Sequence, residues 1–171
     1  MGSPSRPESA LLFVGALYRD EAFLAKATEK LGECFGELLL ESPSFPWDSS
    51  DYYREELGRP LRRRFLFFGN PFTPERLAEI KLQTNGVEQE LSEEGKRTIN
   101  LDPGYLTLAK VVLASTKNYA HRIAIGKGIY AEVTLIYRDG KYRSQPFTYP
   151  DYTSDAYAEI FAQARELLKA R

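Results

Sequence analysis

Residues 11–40, LLFVGALYRDEAFLAKATEKLGECFGELLL, decide the fold. Leu11 to Leu17 is a continuous apolar run of the kind that makes a buried strand. Asp20 follows as a helix N-cap, because a carboxylate there accepts a hydrogen bond from a backbone N–H left free by the first turn. Phe23, Leu24, Ala27 and Leu31 then recur on one helical face, Gly36 closes the helix, and Glu37 to Leu40 resumes as a strand. The segment reads β-α-β.

Working outward, the same order of elements returns. Arg63 to Phe68 reads as a strand and Thr73-Pro74 as a cap with Pro at the first helical position. Leu77, Ile80, Thr84, Val87 and Leu91 follow at helical spacing, Gly95 ends that helix, and Thr98 to Leu101 is a strand. Leu106 to Ser115, His121 to Ile125 and Ile129 to Tyr137 are β-rich, and Asp139-Gly140 is a two-residue hairpin turn leading into Lys141 to Phe147. A last helix from near Ser154 buries Tyr157, Ile160, Phe161, Ala164 and Leu168. The expected fold class is α+β: ferredoxin-like tandem β-α-β units, helices on one face, with an extended, mostly antiparallel sheet and a C-terminal helix. A doubly wound parallel sheet is the alternative. Residues 1–9 are expected to be a disordered tail and residues 10–171 a single domain.

Composition narrows the chemistry. The 171 residues carry 23 Lys and Arg against 24 Asp and Glu, with 43% hydrophobic residues, one Cys and one His. A chain of this size needs no disulfide or metal to fold. Cys34 alone makes no disulfide framework or Cys-rich zinc site, and His121 has no second His for a metal. No run of about 18 apolar residues exists to cross a membrane. Tyr18-Arg19-Asp20 follows the first apolar run where a signal peptide would have small residues, so the expected location is the cytoplasm. The P-loop pattern, the dinucleotide fingerprint and the G-x-S-x-G elbow are all missing. Carboxylate binding of Mg²⁺ by Asp48, Asp51 or Asp102 has no diagnostic spacing, and neither a metal nor a cofactor is assigned.

Charge is unevenly spread. From Asp102 to Glu132 no acid intervenes, while Lys110, Lys117, Arg122 and Lys127 are all positive and His121 lies among them. Such a window suits a small phosphorylated or nucleotide-like anion, with Ser115-Thr116-Lys117-Asn118 and Gly126-Lys127-Gly128 as turns whose backbone amides can approach oxygens. Gly126-Lys127-Gly128 reads equally as a plain hairpin turn. Lys110 sits in Leu108 to Leu113, a stretch that reads as hidden from water, where an ammonium needs a partner. His121 and Arg122, adjacent in a strand, would face opposite sides. His121 with Glu132 is the candidate acid–base pair.

Two further stretches bear on partners. Pro43 to Pro60 is a long aromatic and acidic connection, read either as a loop packed over the sheet or as a cleft wall formed by Asp48 to Tyr53, with Asp51 and Tyr53 as ligand contacts. Arg59, Arg62, Arg63 and Arg64 lead into Phe65 to Phe68, a pairing that would suit single-stranded RNA. Acids at Glu88, Glu90, Glu93 and Glu94 and the missing RNA-recognition spacing argue against it. A homodimer or partner-binding module through a sheet edge, with no small-molecule site, is the rival to ligand binding.

Several strings can be placed together: Leu12 to Tyr18, Asp51-Tyr52-Tyr53, Asn100 to Leu106, Ala114 to Ile123, Gly126 to Leu135 and Phe147 to Tyr152. Across nearly its whole length the chain resembles the bacterial family of domain of unknown function 4416. Members sometimes carry an automatic GTP-binding label, which implies no more than a phosphate-bearing ligand in a chain without a P-loop. The family strings coincide with the basic window, and Asp102 and Tyr105 complete the expected ligand contacts.

Overall fold

The computed structural model describes residues 2–171, with Arg54 described by its backbone alone. Residues 2–9 are exposed and carry neither helix nor strand, and Met1 of the expected tail lies outside the described residues. The elements run β1 (Leu11–Tyr18), α1 (Glu21–Phe35), β2 (Leu38–Glu41), β3 (Phe45–Trp47), α2 (Arg54–Leu57), β4 (Leu61–Phe68) and α3 (Leu77–Glu90). They continue as β5 (Ile99–Leu106), β6 (Lys110–Ser115), β7 (Ile123–Gly126), β8 (Ile129–Arg138), β9 (Lys141–Ser144) and α4 (Asp155–Lys169). Among the described residues no helix is long and apolar enough to cross a membrane.

The nine strands form one open sheet in the order β2-β4-β1-β5-β6-β8-β7, with β3 also on β4 and β9 on β8. The pairings are antiparallel, which removes the doubly wound parallel alternative. β1 is central and all eight of its residues are buried, as its unbroken apolar run requires. Its side chains alternate between two cores. Leu12, Val14, Ala16 and Tyr18 pack with Leu24, Ala27 and Leu31 of α1 and with Leu77, Ile80 and Val87 of α3. Leu11 and Phe13 pack on the other face with Phe65, Phe67 and the stripe of α4. Helices therefore cover both faces, against the expectation of one. α4 carries an apolar stripe, and the phenylalanines of β1 and β4 that point away from α1 and α3 are the surface that can bury it.

Local signals account for most of the boundaries. Asp20 caps α1 by accepting from the Ala22 N–H at 2.8 Å, and Gly36 ends it at φ +90°. Asp139 and Gly140, both at positive φ, turn β8 into β9. Three expectations need correction. α3 ends at Glu90, and Gly95 belongs to the turn beyond it. Pro43 to Pro60 is not irregular throughout, because it contains β3 and α2. Leu106 to Ser115 is not one strand: the Thr107 N–H donates to the Lys110 carbonyl at 2.9 Å, closing a turn between β5 and β6.

Gly104 sits where β5 is squeezed between two neighbours. A Cβ there would run into the Val112 carbonyl oxygen and the Phe13 ring. Gly104→Ala is expected to destabilise the fold by about 3 kcal/mol, the upper end for overpacking, because one obstacle is backbone and cannot change rotamer. Urea unfolding of the variant against the parent reads this directly, and an unchanged midpoint would contradict the close approach.

Candidate functional site

β5 and β6 pair only from Gly104 to Leu106 against Val111 to Leu113. Pro103, with no N–H to offer a neighbour, precedes that short ladder. Beyond it the strands part, and the backbone of β5 needs other partners. α3 supplies them: Lys81 Nζ donates to the Leu101 carbonyl at 2.9 Å, and the Leu101 N–H donates to Glu88 Oε1. Two buried side chains thus stand in for the missing strand. Burial pushes the Glu88 carboxyl above its usual range. A cavity of about 500 Å³ opens in the gap.

The floor of the cavity is charged. Gly15 of β1 leaves a hollow in the sheet surface, where an added Cβ would lie 3.2 Å from the Tyr152 hydroxyl and 3.3 Å from Arg63 Nη1. Arg63 fills that hollow with a guanidinium only 5% exposed. It donates to the Gly15 carbonyl at 3.3 Å and lies 3.2 Å from Asp102 and 3.4 Å from Asp151. Burial opposes its charge, but Tyr152, Asp151 and Asp102 around it more than offset that and hold it above the usual arginine value. Asn100 donates to Asp102 at 2.7 Å and the Trp47 indole N–H to Asp151 at 2.9 Å. Arg97 joins Glu56 at 2.6 Å, Glu88 at 3.4 Å and Asn100 Oδ1 at 2.9 Å. Within this network Arg63 Nε and the Tyr152 hydroxyl are buried without a hydrogen-bond partner among the described residues, and burial pushes the Tyr152 phenol well up. Such orphans are rare enough to call for a reason.

The rim is held by Arg122. Its Nε donates to Glu132 at 2.7 Å, Nη1 to Ser115 at 2.8 Å and to the Lys117 carbonyl at 2.9 Å, and Nη2 to the Tyr149 hydroxyl at 2.6 Å. Lys117 completes the mouth, its ammonium 3.7 Å from the centre of the Tyr52 ring. Trp47, Ser49, Ser50, Tyr52 and Tyr53 line the opposite wall, so the aromatic connection does border the cleft. Burial, then the charge of Asp102, pushes the Tyr53 phenol up.

The expected site residues separate into two groups. Lys117, Arg122, Tyr53, Asp102 and Glu132 line the cavity. Asp51 does not, and its carboxylate lies 3.2 Å from Arg59. Lys110 is exposed at the first position of β6, not hidden, because the turn before it brings it to the sheet surface. Lys127 sits at the β7–β8 hairpin turn with φ +55° and pairs with Glu79 at 3.2 Å, as the plain hairpin reading has it. Lys110, Tyr105 and His121 border a separate, mainly apolar depression of about 280 Å³ that Glu132 also reaches. His121 and Arg122 precede β7 in a turn, so they are not held to opposite faces, and both reach Glu132 Oε2, at 2.8 and 2.7 Å. His121 also stacks on Phe147 at 4.6 Å.

The four arginines do not form a stacking platform for RNA. Arg63 is buried, Arg59, Arg62 and Arg64 pair with acids, and Phe65 to Phe68 are all core. Sequence reading missed Arg63, Lys81, Arg97, Asp151 and Tyr152 as cavity residues. For Arg63 the signal was in the alternation, since it shares a strand face with Leu61, Phe65 and Phe67.

A model of the family described as Domain of unknown function (DUF4416) matches residues 8–168. The chain belongs to this family. The comparisons with curated proteins and with solved structures find no match. Every residue of this family member that lines the cavity falls inside the matched span.

Proposed function

We propose that the chain binds a small phosphorylated or nucleotide-like anion in the cavity between β5 and β6, with Lys117 as its principal charge partner. The observation that carries this reading is the state of the lining cations. Arg63, Lys81, Arg97 and Arg122 each lie within 4 Å of an acid, whereas among the described residues the Lys117 ammonium faces the Tyr52 ring and no acid. A cation at the mouth of a cavity without a carboxylate beside it is available to a ligand. The unpartnered Tyr152 hydroxyl adds a group for a ligand to satisfy. Acid–base work by His121 and Glu132 has less support, because the Glu132 oxygen facing His121 already accepts from Arg122. The order β2-β4-β1-β5, with α1 and α3 on one face, supports a ferredoxin-like reading of the first half, to which β6 to β9 and α4 are additions.

The test is a thermal-shift titration at low salt with inorganic phosphate, pyrophosphate and sugar phosphates, on the parent and on Lys117→Ala. A ligand at about 100 times its Kd adds roughly 2.7 kcal/mol to the native state and raises the melting temperature visibly. The expected result is a salt-sensitive rise that Lys117→Ala abolishes. A panel with no rise, or a rise that Lys117→Ala leaves intact, removes the reading.

A further inference from the structure

We propose that the ligand is a phosphomonoester of a hydroxyl-bearing body, a sugar phosphate or nucleoside monophosphate, and not a di- or triphosphate. This rests on the binding reading above and names its ligand class. The argument is one of charge. Five cations line the cavity, Arg63, Lys81, Arg97, Lys117 and Arg122, against four acids, Glu88, Asp102, Glu132 and Asp151. Four of the cations are already engaged by acids, and Glu56 behind Arg97 adds one more carboxylate. With Glu56 the charges balance, five cations against five acids, and among the described residues Lys117 is the lining cation that has no acid within 4 Å. A phosphomonoester carries about −1.5 to −2 near neutral pH, which one ammonium and nearby hydroxyls can hold. Each further phosphate would find the other lining cations already committed to acids, so it would add charge without adding a contact.

The floor points to the rest of the molecule. Asp102 is a quarter exposed toward the cavity, and its Oδ1 has Lys81 no closer than 3.8 Å while Oδ2 takes the bonds from Arg63 and Asn100. Oδ1 is thus an acceptor open to a donor from the ligand. Tyr152, buried beside it without a partner, offers a hydroxyl that can both donate and accept. An acceptor and an amphoteric hydroxyl at the base of a cavity match a polyol, whose hydroxyls also do both. A phosphate at the mouth and hydroxyls at the floor place the two ends of one small molecule.

The experiment is calorimetric titration of the full chain with ribose 5-phosphate, GMP, guanosine, ribose, inorganic phosphate and GTP, the last with and without Mg²⁺, on the parent, Lys117→Ala and Tyr152→Phe. Ribose 5-phosphate or GMP is expected to bind at least about tenfold tighter than both GTP and inorganic phosphate. Lys117→Ala should weaken the monoester about tenfold or more, the size of a lost charge-assisted contact. Tyr152→Phe should weaken it several-fold while the ligand-free melting temperature stays the same or rises, which separates a ligand contact from a structural one. GTP binding as tight as the monoester, and lost in Lys117→Ala, would overturn the ligand class and leave the anion reading standing. Binding that depends on neither residue would overturn the inference, and no binding by any phosphate-bearing compound would overturn both.

Discussion

Arg63→Met is expected to cost the fold about 3–5 kcal/mol, the range for removing one partner from a buried charge network. Methionine keeps much of the stem volume and all of its apolar character, so the loss isolates the guanidinium. That group ties four parts of the chain together: β4 that carries it, the Gly15 carbonyl of β1, Asp102 of β5 and Asp151 ahead of α4. Without it Asp151, whose side chain is 8% exposed, keeps only the Trp47 indole among these partners, and Asp102 keeps Asn100 and the more distant Lys81. Urea unfolding measures the cost. The double variant Arg63→Met with Asp102→Asn should be less damaged than the sum of the two single changes, because the second removes a charge that the first strands. A single-variant loss under about 1 kcal/mol would show that water reaches and compensates these carboxylates.

Phe161→Ala is expected to cost about 3–5 kcal/mol as well, by a different route. The ring is fully buried and meets Phe13, Phe65 and Phe67 edge-on at 5.0, 5.1 and 5.8 Å. Truncation leaves a hole under the middle of α4, and the aromatic neighbours are held by two strands that cannot close it. The damage should be uneven. α1 and α3 draw on the opposite face of the sheet, so their amides should keep most of their protection in native-state hydrogen exchange, whereas α4 and the segment holding Asp151 and Tyr152 should open first. Uniform loss of protection through the molecule would mean that the two faces unfold as one unit.

Both variants also act on the cavity, because its floor and the α4 core are adjacent areas of one sheet face. Gly15 marks the boundary. On one side of it Phe13 and Leu11 face α4, and on the other Leu17 packs with Trp47, Leu57 and Leu61. Polar groups occupy the interval that neither apolar cluster covers. The site draws on strands and on α3, through Arg63, Asp102, Lys81 and Glu88, and on the connections that carry Trp47 to Tyr53 and Tyr149 to Tyr152.

What the amino-acid order determined by itself was local or periodic. Asp20 caps its own helix, Gly36 ends it, Asp139 and Gly140 turn a hairpin, and α4 buries the five residues its spacing picks out. These depend on neighbours within a few positions, so a linear reading reaches them. The chemistry of the cavity depends on residues far apart in the chain, Arg63, Lys81, Asp102, Lys117 and Tyr152. No short-range pattern links them, and the tertiary structure alone decided which charges are neutralised. The basic window shows the difference. Lys110, Lys117, Arg122 and Lys127 look equivalent along the chain, but a turn exposes Lys110, a hairpin sends Lys127 to Glu79, Arg122 is consumed by Glu132 and its neighbours, and Lys117 is left to face the cavity. A charge becomes a site only when the fold withholds its partner, and partners are assigned by strand register and helix placement.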